Sequence, residues 1–155
     1  MRLWRLTRAA HSALDGAGAE RHGGRYTPPG VPVVALASEA GLAVLVALRY
    51  LPADPADWPN DHALGWTEVD EVPERVPDDL EEVAIRDFSS DWLNSRRGLL
   101  LAVRSRVLPE ADVVLFNPLH PDAANVAPLQ CRPFDFRECL HRPPMLDTFH
   151  GETKP

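Results

Sequence analysis

The residues best suited to chemistry form a short segment near the N-terminus, Gly23-Gly24-Arg25-Tyr26-Thr27-Pro28-Pro29-Gly30. Glycine allows positive φ angles and close backbone approach, whereas proline fixes φ near −65°. We therefore predict a rigid turn that holds Arg25 beside Tyr26. A guanidinium matches the geometry of phosphate or carboxylate, and an aromatic ring can stack on a flat ligand. The alternative interpretation is a surface hairpin turn with a solvated arginine.

A second candidate is Ser105, in the segment Val103-Arg104-Ser105-Arg106-Val107. Period-two alternation predicts a strand with Val103, Ser105 and Val107 on an inward face and the two arginines on the outer one. A buried hydroxyl needs a hydrogen-bond partner, and a ligand can supply one. A neighbouring backbone carbonyl would satisfy the same hydroxyl, so both interpretations stay open.

Metal and nucleotide motifs are absent from the sequence. Cys131 and Cys139 are separated by seven residues, and with His120 and His141 they match no compact zinc site. No Gly-Lys-Ser/Thr phosphate loop or Gly-x-Ser-x-Gly elbow occurs. We expect no metal.

The elements that must position these residues indicate an α+β fold. Strands are expected at residues 3–6, 31–36, 99–108 and 112–117, while residues 80–92 are ambiguous between helix and strand. Ser38 is a plausible N-cap for a helix that continues through Leu51, where Pro52 stops it. Because this helix is apolar nearly all round, we expect it to be buried at the centre of a short-stranded mixed sheet.

Composition restricts the class of protein. The chain has 155 residues, 45% of them hydrophobic, and a net charge of −7, which argues against nucleic-acid binding dominated by phosphate contacts. It shows no membrane-length apolar run, no secretory signal and only two cysteines, so we expect a cytoplasmic protein. Acidic residues crowd positions 68–82, which we interpret as an exposed connection. We expect a single compact domain at 1–147 and a flexible tail at 148–155.

Several segments together resemble the RES-domain family, which is named for an arginine, a glutamate and a serine. They follow the family's order and span nearly the whole chain: Trp4-Arg5-Leu6, Gly23-Gly24-Arg25-Tyr26, Pro28-Pro29-Gly30, the apolar helix after strand 31–36, Ser105 with Val107-Leu108-Pro109-Glu110, Asn117-Pro118 and His120-Pro121.

The resemblance implies a toxin of a bacterial type II toxin–antitoxin system, with a fold similar to ADP-ribosylating toxins. Such proteins act on NAD+, either by hydrolysis or phosphorolysis of the nicotinamide–ribose bond or by transfer of ADP-ribose to a protein. An Xre-like antitoxin covers their NAD+ pocket. By position, Arg5 and Arg25 would bind the phosphates, Tyr26 would pack beside the nicotinamide or ribose, and Ser105 would lie in the pocket. Arg25 and Ser105 are thus the candidate catalytic residues.

One position departs from the family. Its glutamate follows an Ala-Leu-Leu-like run in the helix, where this chain has Val46 after Ala43-Val44-Leu45. An aromatic residue common in the preceding strand is also replaced, by Ala35. Glu39, at the start of the helix, is one candidate for the missing carboxylate, although it can equally serve the helix dipole. Otherwise a divergent but active member uses another acid or only the target's own nucleophile, or the chain is a catalytically impaired module that only binds antitoxin or nucleotide.

Overall fold

The computed structural model describes residues 1–141, so the expected domain end at 147 and the tail at 148–155 lie outside the described residues. Three α-helices and seven strands occur in this part of the chain. In order they are β1 Arg2–Arg8, α1 Ala17–His22, β2 Val34–Ala37, α2 Ala40–Leu48, β3 His62–Glu68, β4 Glu74–Arg75, α3 Glu82–Ser95, β5 Leu100–Arg104, β6 Asp112–Phe116 and β7 Gln130–Pro133.

The strands form one mixed sheet in the order β4-β5-β6-β2-β1-β3-β7, which confirms the α+β class. β4 and β5 are parallel, and the other neighbours are antiparallel. β1 pairs with β3 along its whole length, but it meets β2 only at Trp4↔Ala37. The sheet therefore opens between β1 and β2 beyond that pair.

Helix α3 resolves the ambiguous segment and packs on β5 and β6. Its buried residues include Trp92 and Leu93, which join the cluster that contains Leu101, Val103 and Leu115. Apolar side chains spaced three or four residues apart place one stripe of a helix against the sheet. The helix ends at Arg96, whose φ of 52° is left-handed. No helix within residues 1–141 is long and apolar enough to cross a membrane.

Helix α2 differs from its prediction in length and burial. It begins after Glu39 rather than Ser38, whose hydroxyl instead accepts a hydrogen bond from the Asp112 N–H at 2.9 Å, and it ends at Leu48. Only Leu42 and Ala43 are buried, while Leu45 is 40% exposed. The expectation of a buried central helix was wrong, because a helix lying on one face of a sheet keeps its outer side accessible. Its inner side contacts β1 and β2, over the opening in the sheet.

The other face of the sheet carries a separate apolar cluster. Its buried members include Leu3, Val34 and Phe116, and partly buried Leu14 and Val126 pack against them. The sheet is therefore covered by the two longer helices on one face and by connecting segments on the other.

The strand expected at 99–108 ends at Arg104, since the chain turns there towards β6. Val107 is 53% exposed, so its predicted inward orientation was wrong. Ser105, by contrast, is buried as expected, at 3% exposure.

Candidate functional site

The segment before β2 is a closed turn with Arg25 and Tyr26 at its tip. The Gly24 N–H donates to the Thr27 carbonyl at 2.9 Å. Gly23 has a φ of 72°, and a Cβ there would lie 3.1 Å from the Thr27 carbonyl oxygen. Side chains other than hydrogen are disfavoured in this conformation, so glycine is required at this position. The predicted turn is confirmed.

Within this turn the guanidinium of Arg25 lies beside the ring of Tyr26. The Arg25 Cζ atom is 5.7 Å from the ring centroid, a cation–π distance. Tyr26 is only 6% exposed and packs in the same cluster as Val33 and Leu115, whereas the Arg25 side chain is 28% exposed. The ring thus anchors the turn in the core while the guanidinium keeps access to solvent.

Ser105 stands at the end of β5, where it shapes the turn towards β6. Its N–H donates to the Ala111 carbonyl at 3.0 Å, and its Oγ accepts a hydrogen bond from the Leu108 N–H at 3.2 Å. A serine hydroxyl can donate as well as accept. The hydroxyl hydrogen of Ser105 has no acceptor among residues 1–141, so it is available to a ligand.

Arg25, Tyr26 and Ser105 come together in a cavity of about 120 Å³, which we call the inner cavity. A neighbouring space of about 430 Å³, the outer cavity, lies where β1 departs from β2 and is bounded by α2. The two share four lining residues: Ala35, Val46, Tyr50 and Val113. The outer cavity falls in the size range of small-molecule sites, roughly 300–1,000 Å³, and the shared walls make the inner one its extension.

The other two predicted site residues, Arg5 and Glu39, do not line the inner cavity. Arg5 lines the outer cavity, but alternation along β1 places its side chain with Leu3, on the sheet face opposite α2. There its Nη1 donates to the Ala13 carbonyl at 3.0 Å. Burial lowers the pKa of Arg5, and the charge of Asp15 partly opposes this shift. Glu39 is exposed at the start of α2 and lines neither cavity.

Val46, which the resemblance suggests as the position of the family's glutamate, lines both cavities. None of the residues that line the two cavities, within the described part of the chain, is an aspartate or a glutamate. Tyr26 and Ser105 also border a third space of about 420 Å³, and its lining does include acids, namely Asp78, Glu81 and Glu82.

Sequence reasoning missed two charged residues beside the inner cavity. Arg49, at the C-terminal end of α2, lines the inner cavity. It is the single charged residue within the apolar stretch 40–51, and the sequence could have drawn attention to it for that reason. Glu82, the first residue of α3, bonds Arg25 and Arg106. The hydrogen bond from Arg25 lowers the pKa of Glu82, and Arg106 adds to the effect. From the sequence, Glu82 is part of the exposed acidic connection at 68–82. Its ion pairs could not be predicted, because the arginine partners are distant in sequence.

The remaining candidates have structural roles. The Oδ1 of Asn117 accepts a hydrogen bond from the Leu119 N–H at 3.0 Å, and the Nδ1 of His120 accepts one from Asp122 at 3.2 Å, so both residues latch the loop after β6. Cys131 and Cys139 are exposed free thiols. Among residues 1–141, no three His, Cys, Asp or Glu side chains are grouped so as to hold a metal ion.

Comparison with known proteins agrees with this architecture. The RES domain model matches residues 2–137. Toxin Res of Pseudomonas putida is 33% identical over 130 residues, covering 79% of this chain and 88% of that protein. The Prs ADP-ribosylating toxin of Sphingobium sp. is 34% identical over 142 residues, covering 80% and 86%.

The fold also has a solved counterpart. A chain in the crystal structure of the M. tuberculosis MbcT–MbcA toxin–antitoxin complex aligns with a TM-score of 0.66 at 18% identity, covering 86% of this chain and 83% of that one. At this identity the likeness concerns the fold alone. Since the family model and both relatives span most of the sequence, this chain belongs to the RES domain family.

Proposed function

We propose that this chain is the toxin of a bacterial type II toxin–antitoxin pair and that it acts on NAD+. The observation that carries the proposal is that Arg25, Tyr26 and Ser105 of a RES domain line one cavity. The names of the relatives, Toxin Res and Prs ADP-ribosylating toxin, support the toxin role and the ADP-ribosyl chemistry.

The cavity residues suit the chemistry of a dinucleotide. Arg25 would bind a phosphate through charge-assisted hydrogen bonds, Tyr26 would pack against the nicotinamide or ribose, and Ser105 would donate its O–H to a ligand oxygen. Arg5 would reach a phosphate only after its guanidinium leaves the Ala13 carbonyl. The joined inner and outer cavities offer room for a ligand with two separate ring systems.

The reaction would break the bond between the ribose carbon and the nicotinamide nitrogen. The electron pair of that bond leaves with nicotinamide, and the ribose gains oxocarbenium character. Water, inorganic phosphate or a side chain of a target protein then bonds the ribose carbon and loses a proton to solvent. These three acceptors correspond to hydrolysis, phosphorolysis and ADP-ribosyl transfer.

A second function has its own support in the site. Developing positive charge on the ribose is stabilised by an anion, yet the residues lining the two cavities within residues 1–141 include no acid. By the resemblance, Val46 would stand where the family has its glutamate, and it lines both cavities. This observation favours a catalytically impaired RES module that binds antitoxin or nucleotide without turnover.

The proposal includes a partner and a compartment. An Xre-like antitoxin would cover the cavities, in line with the toxin–antitoxin complex to which the fold is similar. A protein target of ADP-ribosylation would be a further partner, whereas nucleic acid and membrane are not expected to bind directly. Both partners would be met in the cytoplasm.

The proposed activity is tested with pure protein and NAD+ labelled in its adenosine half, with and without phosphate and with and without antitoxin-free cell lysate. Free nicotinamide with unlabelled protein indicates hydrolysis or, if it depends on phosphate, phosphorolysis. Label on a lysate protein indicates transfer. Binding without turnover under every condition would contradict the enzyme and support the impaired module.

A further inference from the structure

A shallow depression at the mouth of the inner cavity is lined by Arg25, Arg49, Tyr50 and Glu82, with a volume of about 260 Å³. The first three residues also line the inner cavity, so the two spaces adjoin. The depression joins the C-terminal end of α2 to the first turn of α3.

Among the described residues that line this depression, Glu82 alone is negatively charged, and one of its oxygens bridges two arginines. The Oε2 atom accepts hydrogen bonds from Arg25 Nη2 at 3.1 Å and from Arg106 Nη1 at 2.9 Å. Both guanidiniums keep the carboxylate ionised, since they lower the pKa of Glu82. An anionic oxygen held by two guanidiniums is also the arrangement in which arginines bind phosphate.

Unlike Arg25 and Arg106, Arg49 forms no ion pair or side-chain hydrogen bond with any of residues 1–141. It is exposed, and it borders both the depression and the inner cavity. Arg25 and Arg106 pair with Glu82, and Arg49 adds a third guanidinium beside the depression, although the whole chain carries a net charge of −7. The mouth of the cavity is therefore locally cationic on an acidic protein, which favours an anionic ligand.

We propose that this depression is a phosphate subsite in which Glu82 stands in for a phosphate group of the ligand. On binding, Arg25 exchanges the Glu82 carboxylate for a phosphate oxygen, and Arg49 takes a second phosphate oxygen. Glu82 thereby competes with the ligand and weakens its binding. The identity of the ligand as NAD+ rests on the proposed function, whereas the subsite itself requires only a phosphate or pyrophosphate group.

Calorimetric titration of the full chain with ADP-ribose, NAD+ and inorganic pyrophosphate tests the subsite. Glu82→Gln should bind ADP-ribose about two- to fivefold more tightly, because a competing exposed ion pair is lost. Arg49→Ala should weaken ADP-ribose and pyrophosphate roughly tenfold, because a charged hydrogen bond to phosphate is lost. The matched control is Glu74→Gln: Glu74 pairs with Arg97 at 3.0 Å and has a similar exposure, so its removal should leave affinity unchanged.

The outcomes separate the subsite from the proposed activity. Weaker or unchanged ADP-ribose binding by Glu82→Gln, in a variant that remains folded at the temperature of the titration, would overturn the stand-in role. Unchanged binding by Arg49→Ala would overturn the subsite, even if the protein cleaves NAD+. If the expected shifts in affinity appear without NAD+ cleavage, the subsite is supported and the enzyme is not. A protein that binds none of the three probes would refute both.

Discussion

The Nη2 atom of Arg25 donates to Glu82 Oε2 at 3.1 Å, and this bond joins the turn before β2 to the first residue of α3. Arg25 is therefore held on two sides, by the Tyr26 ring and by the Glu82 carboxylate. The bond places the guanidinium at the mouth of the inner cavity before any ligand binds.

The first prediction concerns Arg25→Ala, which should weaken NAD+ and ADP-ribose binding by roughly tenfold to a hundredfold, the loss expected for a charged hydrogen bond. Calorimetry measures the change. The control is Arg132→Ala, since Arg132 lies 5.8 Å from the Phe134 ring in a comparable cation–π pair but lines neither cavity. Equal affinity of Arg25→Ala and the unmodified protein would exclude Arg25 from the site.

Ser105→Ala should affect both stability and ligand binding. Because the Leu108 N–H loses its acceptor, the free energy of unfolding should fall by about 1 kcal/mol in urea titrations. Because the O–H donor is also lost, NAD+ affinity should fall about two- to tenfold. Ser90→Ala is the control, as Ser90 Oγ donates to Arg86 O within α3, away from both cavities. Reduced stability with full affinity would show that Ser105 only shapes the turn.

Val46→Glu should introduce a carboxylate at the helix position that faces both cavities. If the missing anion limits cleavage, nicotinamide release should rise roughly tenfold or more, because a preorganised charge stabilises the oxocarbenium character. Nicotinamide release at saturating NAD+ is the readout.

A control for this substitution is Val46→Gln, which matches the size without the charge. An equal gain in Val46→Gln would contradict the electrostatic explanation. Should the unmodified protein already release nicotinamide and Glu39→Ala abolish that release, the carboxylate would come from Glu39 instead.

The ion pairs of Glu82 predict a pH dependence of stability. The pKa of Glu82 is lowered in the folded protein from its ordinary value of 4.5, chiefly by the hydrogen bond from Arg25. Its contribution is thus fully present above the unfolded-state pKa and is lost as pH falls through the lower folded-state pKa. Urea unfolding of the unmodified protein and of Glu82→Gln should differ near neutral pH and converge at acid pH. A difference that persists in acid would contradict the ionic origin.

A further prediction concerns the packing of Gly98 against α3. A Cβ at Gly98 would lie 2.9 Å from the buried Trp92 Nε1 atom, so Gly98→Ala should lower the free energy of unfolding by about 1–3 kcal/mol. Gly41→Ala is the matched control, because its Cβ meets open space and alanine is favoured within α2. That variant should gain about 0.5–1 kcal/mol. Equal effects of the two substitutions would contradict the clash at Trp92.

Local sequence patterns were enough to predict the elements that carry the site. The Gly-Gly-Arg-Tyr turn, the strands around Ser105 and the apolar helix α2 all depend on interactions between neighbouring residues, namely backbone freedom, alternation and helical spacing. The order of these segments also indicated the family. The extent of burial of α2 could not be predicted from local patterns, because burial depends on which other elements cover a helix.

Which residues come together at the cavities depends on the tertiary structure. The pair of Arg25 with Glu82 joins residues far apart in sequence, and only the packing of α3 against β5 and β6 brings them together. The separation of β1 from β2 after Trp4↔Ala37 opens the outer cavity, and no local pattern encodes it. Residue types and local patterns were thus enough to select Arg25, Tyr26 and Ser105 as candidates for a ligand site. Which charges face that ligand followed from long-range contacts, because electrostatic interactions depend on distance in space and not along the chain.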